Sequence, residues 1–261
     1  MPGFTPKGWD SIARGNAPGR LCYSATMLLD LNADLGEAAG FDAALMPLVT
    51  SANVCCALHA GSPAEIGRTL RLAAEYGVVI GAHPGYDDRA NFGRTEQHLP
   101  AQELVDQLVY QLAALVAMAG GSNQEVRYVK PHGALYNQAC RDPWLAEVFA
   151  GQAYGWCGGL PVVGLPGSAL EVAAKKRGLR FVPEGFADRR YRADGSLVPR
   201  TEPDAFVHDP AEAVAQIERL VRERGVRTVC VHGDNPAAVA FTTAVRAGLL
   251  ARGFVLRAFA A

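Results

Sequence analysis

Lysine is scarce in this 261-residue chain: of 25 basic residues only Lys7, Lys130, Lys175 and Lys176 are lysine. Arginine-rich codon usage accounts for the trend, yet it makes Lys130, set in an apolar strand-like run, worth following. A surplus of one charge is also lacking. The net charge is −1, with no long run of one sign, which argues against a nucleic-acid or membrane-surface partner recruited by electrostatics. None of the six cysteines, Cys22, Cys55, Cys56, Cys140, Cys157 and Cys230, falls in a Cys-x-x-Cys pair, so no zinc-finger or dithiol motif is present. Cys55, Cys56 and Cys230 lie in apolar runs where a thiol serves as a small hydrophobe, and a cytoplasmic location is expected. No apolar run reads as long enough to span a bilayer. The phosphate loop G-x-x-x-x-G-K-[ST], a G-x-G-x-x-G after a strand, G-x-S-x-G and H-E-x-x-H are all missing, so the chain carries no recognisable nucleotide-binding loop or elbow nucleophile of its own.

Apolar residues, at 49%, suffice for a sizeable core. Residues 1–26 hold several Gly and Pro, no periodic pattern and no signal-peptide core. They read as a disordered extension, or as an upstream start with Met27 as initiator, a tag or leader being the alternative. Residues 27–261 read as one domain. There a strand–capped helix–glycine unit recurs. Ser62-Pro63-Ala64-Glu65 is a capping box with proline at the first helical position, and Gly77 can end that helix. Ser168/Glu171 with Gly178, Asp209-Pro210 with Gly225, and Asn235-Pro236 with Gly253 repeat the punctuation. Asp142-Pro143 opens a shorter helix, and Leu104, Leu108, Leu112 and Leu115 form a stripe after Pro100. Strands are expected near 28–33, 51–55, 78–82, 126–130, 161–165, 180–183, 228–231 and 254–258. Strands alternating with helices imply a parallel sheet, and this number of units favours a closed (β/α) barrel over an open one.

Ligands bind beyond the carboxyl ends of such strands, and those ends are polar. On the first strand Leu29 and Leu31 point to the helices, whereas Asp30, Asn32 and Asp34 alternate inward. Buried charge is costly unless paired, so this set is either a structural hydrogen-bond network or a site. Asn53 and His59 follow the second strand and His83 the third. Tyr128, Lys130 and His132 share one face of the fourth. Glu184, Asp188 and Arg189 follow the sixth, and Cys230, His232 and Asp234 point inward from the seventh. Five histidines, at 59, 83, 132, 208 and 232, thus fall near strand ends; His98 reads as a surface residue. Histidines in such number suit acid–base work or metal ligation. Lys130 could hold a substrate carboxylate or phosphate, act as a base with a lowered pKa, or pair with Asp30 or Asp34.

The segments Asp30-Leu31-Asn32-Ala33-Asp34-Leu35-Gly36-Glu37, 44–53, His59-Ala60-Gly61, 81–86, Phe92-Gly93-Arg94, Val129-Lys130-Pro131-His132-Gly133-Ala134-Leu135-Tyr136-Asn137, Phe186-Ala187-Asp188-Arg189, Leu197-Val198-Pro199-Arg200 and 231–236 follow one another in this order. Together they resemble the LamB/YcsF family over nearly all of the chain after Met27. Ala33, where the family has Cys, and Ala57-Leu58, where it has Gly-Phe, depart from the pattern, as do a shorter loop after Glu37 and a shorter stretch before strand seven.

The resemblance implies a barrel like those of the glycoside hydrolase/deacetylase superfamily, with an irregular or seven-stranded ring. It implies the activity of the A component of an ATP-hydrolysing 5-oxoprolinase: 5-oxo-L-proline, ATP and water give L-glutamate, ADP and phosphate, together with B and C subunits. Lacking a phosphate loop, this chain would act on a lactam phosphorylated by its partners, with ATP a co-substrate of the complex. Asp34 or His83 would activate water and His132 or His232 would protonate the leaving group. Lys130 and Arg189 would hold carboxylate and phosphate, and Asn32 and Asn53 would orient the substrate. Asp30, His59, Tyr136 and Asp234 complete the expected substrate contacts. Two alternatives stay open: a stand-alone metal-dependent deacetylase or amidohydrolase, with Asp34, His59 and His83 as ligands, and a noncatalytic subunit that binds 5-oxoproline. Homo-oligomerisation is left open too.

Overall fold

A computed structural model describes residues 27–156 and 158–260; the extension expected at 1–26 lies outside the described residues. Among the described residues eight strands and eight α-helices follow one another, alternating except where α4 runs on to α5: β1 (Met27–Leu35), α1 (Asp42–Leu45), β2 (Ser51–Cys55), α2 (Pro63–Tyr76), β3 (Val79–His83), α3 (Ala101–Gly121), β4 (Val126–Val129), α4 (Gly133–Arg141), α5 (Pro143–Trp156), β5 (Val162–Gly164), α6 (Ala169–Lys176), β6 (Phe181–Phe186), α7 (Pro210–Arg224), β7 (Thr228–Val231), α8 (Ala238–Ala251) and β8 (Phe254–Leu256). The strands β1 to β7 hydrogen-bond in sequence order, all parallel, and β7 returns to β1. This is a closed seven-stranded α/β barrel; β8 pairs with Met27–Leu29 of β1 beside it.

Local chemistry fixes the helices. The Ser62 hydroxyl accepts from the Glu65 amide and Gly77 ends α2 at φ 66°, a left-handed backbone that glycine adopts without strain. Ser168 caps α6 through Glu171, and Asp209 caps α7 through Ala211. α8 starts later than expected: the Asn235 side chain accepts from the Ala237 amide, forming a turn of its own before the helix begins at Ala238. α3 corrects the membrane expectation, because by length and composition it could cross a bilayer. In the fold it is a barrel helix whose Leu104, Leu108, Leu112 and Leu115 are buried in the main core.

Three strands outrun their expected ends. β1 continues to Leu35 because Asp34 and Leu35 pair with Asn53 and Val54. β3 includes His83, and β6 continues through Glu184 to Phe186, paired with β7. A strand pattern that stops at the first charged residue fails in this barrel because its interior is polar. Leu29, Leu31, Ala33 and Leu35 join the apolar layer beneath the helices, while Asp30, Asn32 and Asp34 are buried on the opposite face.

Candidate active site

The barrel interior is stacked in polar layers. At the lowest, Asp30 accepts from the hydroxyls of Thr50 (2.6 Å), Ser51 (2.7 Å) and Thr228. Burial raises its carboxyl to about 6 despite these donors. Above it, Asn32 donates to Thr228 and to Glu184 Oε1 (3.2 Å). The Asn53 amide donates to Asn32 (2.6 Å) and to Asp34 (2.7 Å), and its carbonyl accepts from the Tyr128 hydroxyl (2.7 Å). Tyr128 lies across Gly81, where an added Cβ would come within 2.1 Å of the ring. Asp30, Asn32 and Asn53 are at most 1% exposed and do not line the cavity described below. Their placement is that of a supporting network, which corrects the expectation of direct substrate contact.

Lys130 forms the next layer. Its ammonium lies 3.0 Å from Asp34 Oδ1, 2.9 Å from Glu184 Oε1 and 3.2 Å from Cys230 Sγ. Burial would lower its pKa, but Asp34, Cys230 and Glu184 hold it well above the ordinary value. This corrects the reading of Lys130 as a neutral base: it is a fixed cation, paired with Asp34 and not with Asp30. Burial drives Glu184 upward, with Asp34 adding to the rise and Lys130 opposing it. The hydroxyl of Tyr136 and Glu184 Oε2 are buried and complete no hydrogen bond among the described residues.

Three histidines and two carboxylates meet above Lys130. His83 Nδ1 faces the Lys130 carbonyl at 2.9 Å and His132 Nε2 faces the Phe92 carbonyl at 2.8 Å. A carbonyl only accepts, so both nitrogens carry hydrogen. The remaining nitrogens, His83 Nε2 and His132 Nδ1, then face each other at 3.0 Å. Asp34 Oδ2 lies 3.3 Å from the first and Glu37 Oε1 3.3 Å from the second. Four lone-pair atoms therefore converge, an arrangement that needs a proton or a cation between them. Burial alone would raise Asp34, but the charges of His83 and Lys130 hold it well below the usual carboxylate range. Burial would raise Glu37 too, but the neighbouring His132 and His59 hold it low. Burial lowers His132. His59, stacked on His132 at 3.8 Å, is raised: burial and His132 oppose its charge, but Cys55 and Glu37 favour it. The surroundings therefore favour the charged form of His59 over that of His132. Gly93 closes the stack at φ 66°, where a Cβ would lie 2.7 Å from His59 and 2.9 Å from His132.

Asp34, His83, Lys130, His132, Tyr136, Arg189, His232 and Asp234 line one cavity of about 850 Å³. His232 faces Asp188 through Nδ1 at 2.8 Å and stacks on Phe186. Asp188 is buried, which would raise it, but His232 holds it low. Asp234 pairs with Arg94 at the mouth. Arg189 is 4% exposed and donates to the carbonyls of Val198 (2.5 Å) and Ala205 (3.4 Å).

The structure thus brings Asp34, His83, Lys130, His132 and His232 to one cavity. His59 does not line it and belongs with Glu37 and His132. Among the described residues the side-chain groups able to converge on a metal are Asp34–His83–His132 and Glu37–His59–His132, which differ from the expected Asp34–His59–His83 set. His208 is exposed and stacks on Phe206, away from the cluster. Glu37 and Glu184 were not among the expected site residues. Glu37 had a signal, its place directly after the turn that ends β1. Glu184 was noted at the end of the sixth strand but given no role, because β6 was expected to end before it and its pairing with Lys130 comes from another strand.

A closed parallel barrel with a buried carboxylate–histidine cluster beside one cavity defines an α/β barrel with a candidate site at the carboxyl ends of its strands. The same fold occurs in the catalytic domain of a peptidoglycan N-acetylglucosamine deacetylase from Eubacterium rectale, which is 10% identical with a TM-score of 0.50 and covers 94% of each chain. The chain belongs to the LamB/YcsF family, whose model matches residues 29–261. A protein from Neisseria meningitidis, named as the A component of 5-oxoprolinase, is 48% identical over 242 residues, covering 88% of this chain and 99% of that protein. The crystal structure of a lactam utilization protein from Thermus thermophilus is similar at a TM-score of 0.83 and 41% identity, covering 89% of this chain and all of that one.

Proposed function

We propose that this chain is the A component of an ATP-dependent 5-oxoprolinase that opens 5-oxo-L-proline to L-glutamate, working in the cytoplasm with B and C subunits. The observation that carries the reading is the convergence of Asp34, His83 and His132 on the wall of one cavity, in a chain related along its length to a protein of that name. An unactivated lactam resists water at neutral pH. Transfer of the ATP γ-phosphoryl to the lactam oxygen, on the partner subunits, makes the ring carbon electrophilic. Water then adds to that carbon while Asp34 or His83 takes its proton. The ring C–N bond breaks as nitrogen takes a proton from His132 or His232, leaving an acyl phosphate, and a second water releases phosphate and glutamate. Lys130, 3.0 Å away, keeps Asp34 ionised up to that proton transfer. The test is glutamate formation from 5-oxoproline and ATP by this chain with and without B and C. Turnover by the chain alone at the rate of the complex would overturn the division of labour.

One observation favours a second reading, the convergence of lone pairs at Asp34, His83 and His132. These residues fit a divalent metal ion, which would supply a Lewis acid and lower the pKa of bound water. Stoichiometric zinc in protein purified without added metal, lost in His83→Ala, would favour this metal-dependent amidohydrolase.

A further inference from the structure

Six lysine and arginine side chains line the cavity: Arg94, Lys130, Arg141, Arg189, Arg192 and Arg200. Four are matched by carboxylates. Arg94 pairs with Asp234, Lys130 with Asp34 and Glu184, Arg141 with Glu96, and Arg192 with Glu202. Arg189 and Arg200 have no carboxylate within ion-pair distance among the described residues. Both flank one ring, Phe206, their guanidinium carbons 5.3 and 5.4 Å from its centre. Burial, and after it the charge of Arg200, pushes Arg189 down to about 10; burial, and after it the charge of Arg94, lowers Arg200, against the opposing charges of Asp234, Asp188 and Asp34.

Two like charges held together in a cavity wall raise the free energy of the empty site, which an anion would lower. The loop that carries them is built to keep them there. Antiparallel bridges join Arg189 to Phe206 and Tyr191 to Leu197, and the carbonyls of Val198 and Ala205 fix the Arg189 side chain. Arg200 makes no hydrogen bond or ion pair among the described residues, so its donors are available to a ligand.

We propose that Arg189 and Arg200 form a phosphoryl-binding subsite on the wall of the cavity that Asp34, His83 and His132 also line. A tetrahedral dianion offers each guanidinium fork two oxygens, whereas a carboxylate monoanion satisfies one fork. Lys130 is not part of the subsite, because Asp34 and Glu184 already neutralise it. The subsite deepens the 5-oxoprolinase reading by naming what holds the phosphate of the activated lactam, and it rests on that reading for its role though not for its existence.

The test is calorimetric titration of the purified chain with inorganic phosphate at low ionic strength, with acetate as the carboxylate arm. Wild type is expected to bind phosphate saturably and acetate more weakly. Arg200→Met and Arg200→Gln, folded as judged by circular dichroism, are expected to lose about tenfold or more in phosphate affinity, the scale of a charge-assisted hydrogen bond. Arg200→Lys is expected to recover part of it. Absence of saturable phosphate binding, equal affinity in Arg200→Met, or acetate binding as tightly as phosphate would each overturn the proposal. If phosphate binds through Arg200 while the full complex forms no glutamate, the subsite stands and the 5-oxoprolinase reading falls.

Discussion

Asp30 and Asp34 sit four residues apart on one face of β1 and have opposite electrostatics. Asp34 is surrounded by cations and stays ionised; Asp30 meets only hydroxyls and is raised to about 6 from an ordinary value of 3.8. A raised carboxyl pKa means the folded state keeps a proton that the unfolded chain has lost. Its contribution to stability is therefore fully present below about 3.8 and is lost as pH rises to about 6. The stability difference between wild type and Asp30→Asn is expected to shift in favour of the variant between pH 4 and pH 7, and urea denaturation at both values checks it. Lys130 poses the converse case. Lys130→Met would leave Asp34 and Glu184 facing each other without a cation, and about 3–5 kcal/mol of stability should be lost, read from the denaturation midpoint. These residues show where sequence reading reaches its limit. Alternation along β1 is enough to turn Asp30, Asn32 and Asp34 inward. It cannot separate the lower layer, which supports, from Asp34, which faces the cavity, because depth along a barrel axis depends on neighbouring strands. His59 departs from its expected role for the same reason: its stacking on His132 and pairing with Glu37 arise from three different elements.

At the scale of elements, capping chemistry makes most of the helices legible. Ser62, Ser168 and Asp209 cap the helices they were expected to cap. Ser62→Ala is expected to cost about 1 kcal/mol, measurable by denaturation, with little change in activity because α2 lies outside the cavity wall. The loop containing Gly93 is different. Gly93→Ala would force a side chain into a left-handed backbone and against both His59 and His132. Activity should fall by more than tenfold, since even a small displacement of catalytic geometry is costly. Steady-state assays alongside circular dichroism would separate this from unfolding. Such close contacts, and the extension of β6 to Glu184, are not legible in the sequence because they depend on what the neighbouring strand presents.

For the whole molecule, the barrel gathers catalytic groups from β1, β3, the end of β4 and the segment after β7 into one cavity, while the chain carries no phosphate loop. On the function proposed above, phosphorylation falls to the partners and ring opening to this chain. The most direct measurement is glutamate formation from 5-oxoproline and ATP by the reconstituted complex carrying Asp34→Asn in place of wild type. Assembly is expected to persist and glutamate formation to fall on the order of 10²-fold or more, the scale of removing a positioned acid–base group. A complex with Asp34→Asn that makes glutamate at the wild-type rate would contradict the assignment of ring opening to this cluster.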